Sequence, residues 1–196
     1  MGDQQAYFDS LYNAEISERL YVPVVVHVIH DYGAEYVSDD DVFEMIDKMN
    51  IIYQRRNANL SATIDPFKPH IGNMNMEFRL ARKDPNGQPT IGITRHYSYL
   101  TYGGDEQAKF SQWAPDRYLN IWIEQKIGRK PPAGEILAYS NFPSSAAANP
   151  FGDGIITRYN SIADASNTMS HEVGHYFNLA PPWNSSGANV TEACGG

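Results

Sequence analysis

Residues 171 to 175 read His-Glu-Val-Gly-His. On a helix, residues four apart lie one above the other on the same face, so both imidazoles can meet one metal ion about 2.0–2.1 Å away. Glu172 follows the first histidine directly, close enough to take a proton from a water held by that metal. This spacing suits metal-assisted hydrolysis of a peptide bond. The metal polarises the carbonyl and lowers the pKa of its water toward about 7, while the glutamate deprotonates the water and later protonates the leaving amine. Zinc is the expected ion, because it is redox-inert, accepts imidazole nitrogen and tolerates a fifth ligand during attack. The candidates are His171 and His175 as metal ligands and Glu172 as general base.

The motif works only on a helix, and its flanks predict one. Ala165 and Met169 share a face ahead of it, Tyr176, Phe177 and Leu179 continue the apolar pattern, and Pro181-Pro182 forces a stop. The elements that must position this helix lie upstream. Val22-Pro23-Val24-Val25-Val26-His27-Val28-Ile29 is β-branched at nearly every position, as in a strand covered on both faces. Ser38 is an N-cap, three aspartates occupy the first turn after it, and Val42, Ile46, Met49 and Tyr53 form one apolar stripe. These features predict a helix over residues 39–56 that packs on the sheet. Residues 75–82 alternate Met76, Phe78 and Leu80 with polar neighbours, a half-buried strand ended by the turn Asp84-Pro85-Asn86-Gly87. Residues 118–123, 136–139 and 154–157 are further short strands, and the Pro/Ser/Ala/Asn-rich stretch 143–150 reads as loop. Strand, helix, several strands and a final helix predict an α/β (α+β) fold with a mixed sheet.

Size and charge narrow the rest. The 196 residues suit one domain, with residues 1–20 a polar lead-in and the domain proper from residue 21 to 196. Fifteen basic against 23 acidic residues give a net charge of −8, which disfavours nucleic-acid binding. The apolar run 22–29 is too short to span a bilayer. Met1-Gly2-Asp3-Gln4-Gln5 lacks the basic and apolar regions of a secretory signal. Cys194 is the single cysteine, so no disulfide forms within the chain. His27, His30, His70 and His96 are remote from the motif and are expected to be structural or surface histidines. Composition leaves oligomeric state open.

The chain resembles the pappalysin-type metallopeptidases, a branch of the metzincins. The resemblance rests on an ordered set of segments across residues 21–183. It comprises the strand 22–29, Asp84-Pro85-Asn86-Gly87 with Gly92-Ile93-Thr94-Arg95, Asp116-Arg117-Tyr118-Leu119-Asn120-Ile121-Trp122, Asp153-Gly154-Ile155-Ile156, and the pentad with Tyr176. It implies a metzincin-like upper subdomain: a twisted mixed sheet, a backing helix and an active-site helix, in a zinc-dependent endopeptidase acting on peptide or protein substrates outside the cell. It further implies that residues 136–139 form the strand beside the cleft, pairing with an extended substrate by strand addition. Calcium is open by the same analogy. Two departures follow. Metzincins extend the motif to HExxHxxGxxH; here position 178 is Asn, which tolerates the left-handed turn, but position 181 is Pro, which has no donor for zinc. The family also continues into a lower subdomain with a methionine turn and paired cysteines, whereas no methionine follows His175 and only Cys194 remains, so the lower subdomain is expected to be truncated. Glu192 is the alternative third ligand, weighed against a solvated carboxylate. The rival functions are a catalytically impaired metzincin-like fragment that binds peptide or protein partners, and a structural domain that binds no metal.

Overall fold

The computed structural model describes residues 19–129, 135–162 and 167–180. Strand β1 (Leu20–His30) runs through the middle of the sheet, and its residues from Val24 to Ile29 are fully buried. The strand begins at Leu20, one residue before the expected start of the domain, because the Leu20 amide donates to the Asn75 carbonyl at 3.0 Å. Helix α1 (Asp39–Tyr53) follows, with Ser38 and Asp41 bonding each other's backbone amides as a capping box. It ends three residues before the expected 56, where Gln54 leaves helical geometry and Arg55 turns to φ 58°.

Strands β2 (Met76–Leu80) and β3 (Ile93–Tyr97) lie in succession along one edge of β1. They act as one strand interrupted by the excursion through residues 81–92. Gly92 closes that excursion at φ 75°, where a Cβ would stand 2.7 Å from the Ala81 amide nitrogen. Strand β3 was not expected from the sequence, because it carries one buried apolar residue, Ile93, and is held by pairing with β1. On the other edge of β1 come β4 (Leu119–Glu124), β6 (Ile155–Arg158) and the edge strand β5 (Ala138–Ser140), giving the order β2-β1-β4-β6-β5. All pairings are parallel except β5 with β6, so the sheet is mixed, as expected. Strand β5 lies later than the expected 136–139. The stretch read as loop contains a short helix α2 (Pro143–Ala148), which Pro143 starts and only Ala146 anchors in the core.

Helix α3 (Thr168–Tyr176) carries the motif. One face of the sheet (Val24, Val26, Val28, Ile121 and Ile123) packs on Met45 and Met49 of α1 and on Met169 and Val173 of α3. The opposite face buries Ile29, Trp122, Tyr139 and Ile156. The sheet edges differ. At β2, Asn50 of α1 donates to the Phe78 carbonyl at 2.9 Å and accepts from its amide at 2.8 Å, occupying the backbone groups a further strand would need. No helix among the described residues is long and apolar enough to cross a membrane.

Candidate active site

Helix α3 ends where the sequence placed a left-handed turn, not at the prolines. Asn178 has φ 69°, its amide bonds the His175 carbonyl at 2.9 Å, and the Leu179 amide reaches back to Gly174 at 2.8 Å. This is a Schellman ending with asparagine in the usual place of glycine. It stops the helix at Tyr176 and turns the Leu179 carbonyl onto the His175 ring, 2.7 Å from Nδ1. A carbonyl only accepts, so Nδ1 carries a proton, and in the neutral tautomer Nε2 is the nitrogen that can act as a ligand.

The His171 and His175 rings stand 4.5 Å apart between centroids, nearly perpendicular. Burial, then the neighbouring His175, lowers the His171 pKa, which favours the neutral imidazole that binds a metal. Phe142, two residues beyond β5, packs its ring 5.2 Å from that of His175. Among the described residues no group of three His, Cys, Asp or Glu side chains converges as a metal site. Two imidazoles one helical turn apart, 4.5 Å between centroids, are the nitrogen donors that α3 offers a zinc ion. Pro181, Glu192 and Cys194, with the readings placed on them, lie outside the described residues, as do residues 1–18.

Glu172 is 2% exposed and faces the edge strand. Ser140 of β5 donates its hydroxyl to the Glu172 carbonyl at 2.8 Å, and that hydroxyl stands 3.4 Å from Oε2. Burial raises the Glu172 carboxyl to about 7, against the hydrogen bonds from Ser140, which lower it. A carboxyl in that range can both take and return a proton near neutrality. The strand beside it has an outward side. The Arg158 amide donates to the Leu137 carbonyl, so by antiparallel alternation the backbone groups of Ala138 and Ser140 point away from β6.

Further contacts fix the helix. Tyr53, at the end of α1, donates its hydroxyl to the Ser170 carbonyl at 3.0 Å. Tyr176 hydrogen-bonds Asp153, in the loop before β6. That loop is held by Lys109, 4% exposed, which donates to the Gly152 carbonyl at 2.6 Å. Gly154 follows at φ 91°, where a Cβ would lie 2.6 Å from the Asn120 carbonyl oxygen. Ser140, Phe142 and Lys109 were not singled out in the sequence, and Tyr53 and Asp153 were read only as a stripe residue and as part of a family segment, since nothing local marks a partner far along the chain.

The remote histidines stand apart from the pentad. His27 is fully buried, with Nδ1 2.7 Å from Thr94 Oγ1 and Nε2 3.1 Å from Asn120 Oδ1, and burial lowers its pKa to about 4. His30 is packed among tyrosines, and His96 lies 3.0 Å from the Thr94 hydroxyl. The His70 side chain lies outside the described residues.

No family model and no curated protein matches the chain. Solved structures do. Mature mirolysin from Tannerella forsythia in complex with a cleaved peptide superposes with a TM-score of 0.77 at 32% identity, over 89% of this chain and 69% of that one. Mirolysin in complex with compound 9 gives 0.76 at 33% identity, over 87% of this chain and 67% of that one. A promirolysin mutant from the same organism gives 0.73 at 31% identity, over 91% of this chain and 62% of that one.

Proposed function

Because the chain belongs to the metzincin-type metallopeptidases represented by mirolysin, we propose that it is a zinc-dependent endopeptidase with His171 and His175 as metal ligands and Glu172 as general base. Zinc, when bound, supplies the charge that polarises the scissile carbonyl and acidifies the attacking water. Glu172 takes the proton from that water and delivers it to the leaving amine. Ser140 ties the Glu172 main chain to the strand that meets the substrate and sets its hydroxyl 3.4 Å from the carboxylate. An extended peptide pairs with the outward backbone groups of β5, while the β2 edge is occupied by Asn50.

Within the metzincins, the ordered segments from residue 22 to 176 favour the pappalysin branch. The catalytic domain is assigned to residues 21–196, and the site of action is outside the cell or at its surface. The observation that carries the reading is a pair of imidazoles 4.5 Å apart on α3, next in sequence to a buried carboxyl that faces the edge strand and is raised to about 7. A second reading, a catalytically impaired chain that binds peptides, is favoured by Pro181, which has no donor where metzincins carry a third histidine.

Zinc content of the purified chain, measured beside a variant with His171→Ala and His175→Ala, tests the metal site. About one zinc per chain, absent from the variant, is the expected result. Hydrolysis of a quenched-fluorescent peptide library then separates the two readings. Zinc bound without turnover supports the peptide binder, and no zinc at saturation overturns the metal site.

A further inference from the structure

Five tyrosines crowd the surface at the C-terminal ends of β1 and β3. Tyr32 is 71% exposed, Tyr99 68%, Tyr97 53%, Tyr102 52% and Tyr36 46%. Tyr32 and Tyr97 stack 5.6 Å apart, with Tyr36 5.8 Å from Tyr32 and Tyr99 5.7 Å from Tyr97. His30 forms the floor, its ring 4.4 Å from Tyr36 and 4.8 Å from Tyr32, and its buried Nδ1 has no hydrogen-bond partner. Rings this exposed add little to the core, yet they are held in register.

The loop that presents Tyr32 is fixed by its own hydrogen bonds. Tyr32 sits at φ 59°, a left-handed conformation that bulky residues rarely adopt. Glu35 is fully buried and accepts from the amides of Asp31 at 2.7 Å and Gly33 at 3.1 Å, which locks the turn and directs Tyr32 into solvent. At the rim, Tyr102 donates to Asp31 Oδ2 at 3.3 Å, and the Tyr97 phenol is hydrogen-bonded to Tyr99 and Asp31. The hydrogen bond to Tyr99, with burial and Asp31, pushes the Tyr97 phenol up to about 12, so it stays neutral at working pH.

Charge selects the occupant. Asp31 and Asp40 lie in or beside the patch, Glu35 is buried beneath its turn, and Asp39 pairs with Arg95, the cation at its border. The Arg95 guanidinium is engaged by Asp39 at 2.6 Å and the Val37 carbonyl at 3.1 Å. Elsewhere this chain seats its own guanidinium groups on tyrosine faces, Arg79 over Tyr21 at 3.8 Å and Arg129 over Tyr139 at 4.0 Å. Among the described residues no Lys or Arg covers Tyr32, Tyr97, Tyr99 or Tyr102. We propose that this patch is a docking surface for arginine- or lysine-bearing segments of polypeptides, which would seat a cation on the tyrosine faces beside Asp31. It lies three strand positions from β5, about 14 Å across the sheet, and so is separate from the edge that pairs with substrate.

Calorimetric titration with N-acetylated, C-amidated penta-arginine tests this, on the full chain carrying Glu172→Gln so that the peptide is not cleaved. Saturable binding is expected, weakened about three- to tenfold by Tyr32→Ala, Tyr99→Ala or Asp31→Asn, retained in Tyr32→Phe, and unchanged by Tyr21→Ala at the far end of β1. Tyr99 lies outside the Glu35 turn, so its variant decides the matter if Tyr32→Ala misfolds. Penta-glutamine and maltohexaose are the controls. No penta-arginine binding by the parent, equal affinity in every variant, or binding of maltohexaose in its place overturns the proposal. The titration reads binding alone and stands apart from the outcome of the peptidase assay.

Discussion

The Ser140 hydroxyl donates to the Glu172 carbonyl at 2.8 Å and stands 3.4 Å from Glu172 Oε2, so one side chain ties the edge strand to the active-site helix. Ser140→Ala removes a donor that lowers the Glu172 pKa. The acidic limb of the kcat/KM profile should move to higher pH, with kcat about three- to tenfold lower and stability reduced by about 1 kcal/mol. A pH–rate profile beside a thermal melt checks this. A loss of stability with no movement of the profile would leave Ser140 a structural residue only.

Glu172→Gln should abolish hydrolysis while zinc content stays at the parent level, because the proposed role of the glutamate is proton transfer and not ligation. Elemental analysis and peptide hydrolysis on the same sample decide it. Equal activity in variant and parent would remove Glu172 from the chemistry.

Tyr53 anchors α3 from behind through the Ser170 carbonyl. Tyr53→Phe keeps the ring, which packs 5.2 Å from Phe78, and removes only the hydroxyl. The expected loss is about 1–2 kcal/mol in denaturant unfolding, since the carbonyl is left without this donor in a partly buried setting.

Glu124 ends β4 fully buried, and neither carboxylate oxygen has a hydrogen-bond partner. Burial, followed by the charge of Asp105, pushes its carboxyl up to about 9 from an ordinary 4.5. The folded chain therefore holds a proton that the unfolded chain releases. Its contribution to stability is present in full below about pH 4.5 and is lost as pH rises to about 9, at up to about 1.4 kcal/mol per pH unit. Glu124→Gln stays neutral, so its advantage over the parent should widen from pH 6 to pH 8 in urea titrations. A constant difference would count against the buried acid.

Gly174 lies inside the motif, yet a Cβ there would meet Leu179 and the Tyr53 hydroxyl only at ordinary contact, 3.8 Å. Gly174→Ala should therefore fold, with stability raised by about 0.5–1 kcal/mol through helix propensity. A thermal melt shows the sign.

Much of this protein was legible in residue order, wherever the determining interaction is local. The i, i+4 spacing of His171 and His175, the Ser38 cap, the stripe from Val42 to Tyr53 and the left-handed turn at Asn178 each depend on neighbours within a turn or two. What lay beyond the sequence depends on chain segments that meet only in the folded state. Ser140 reaches Glu172 across 32 positions, Tyr53 reaches Ser170 across 117, and β3 is a strand because β1 supplies its partners. The tyrosine patch is likewise divided between the loop after β1 and the end of β3. Periodicity reports which face of an element is buried; it carries no information on which distant element buries it, and that choice is made by packing.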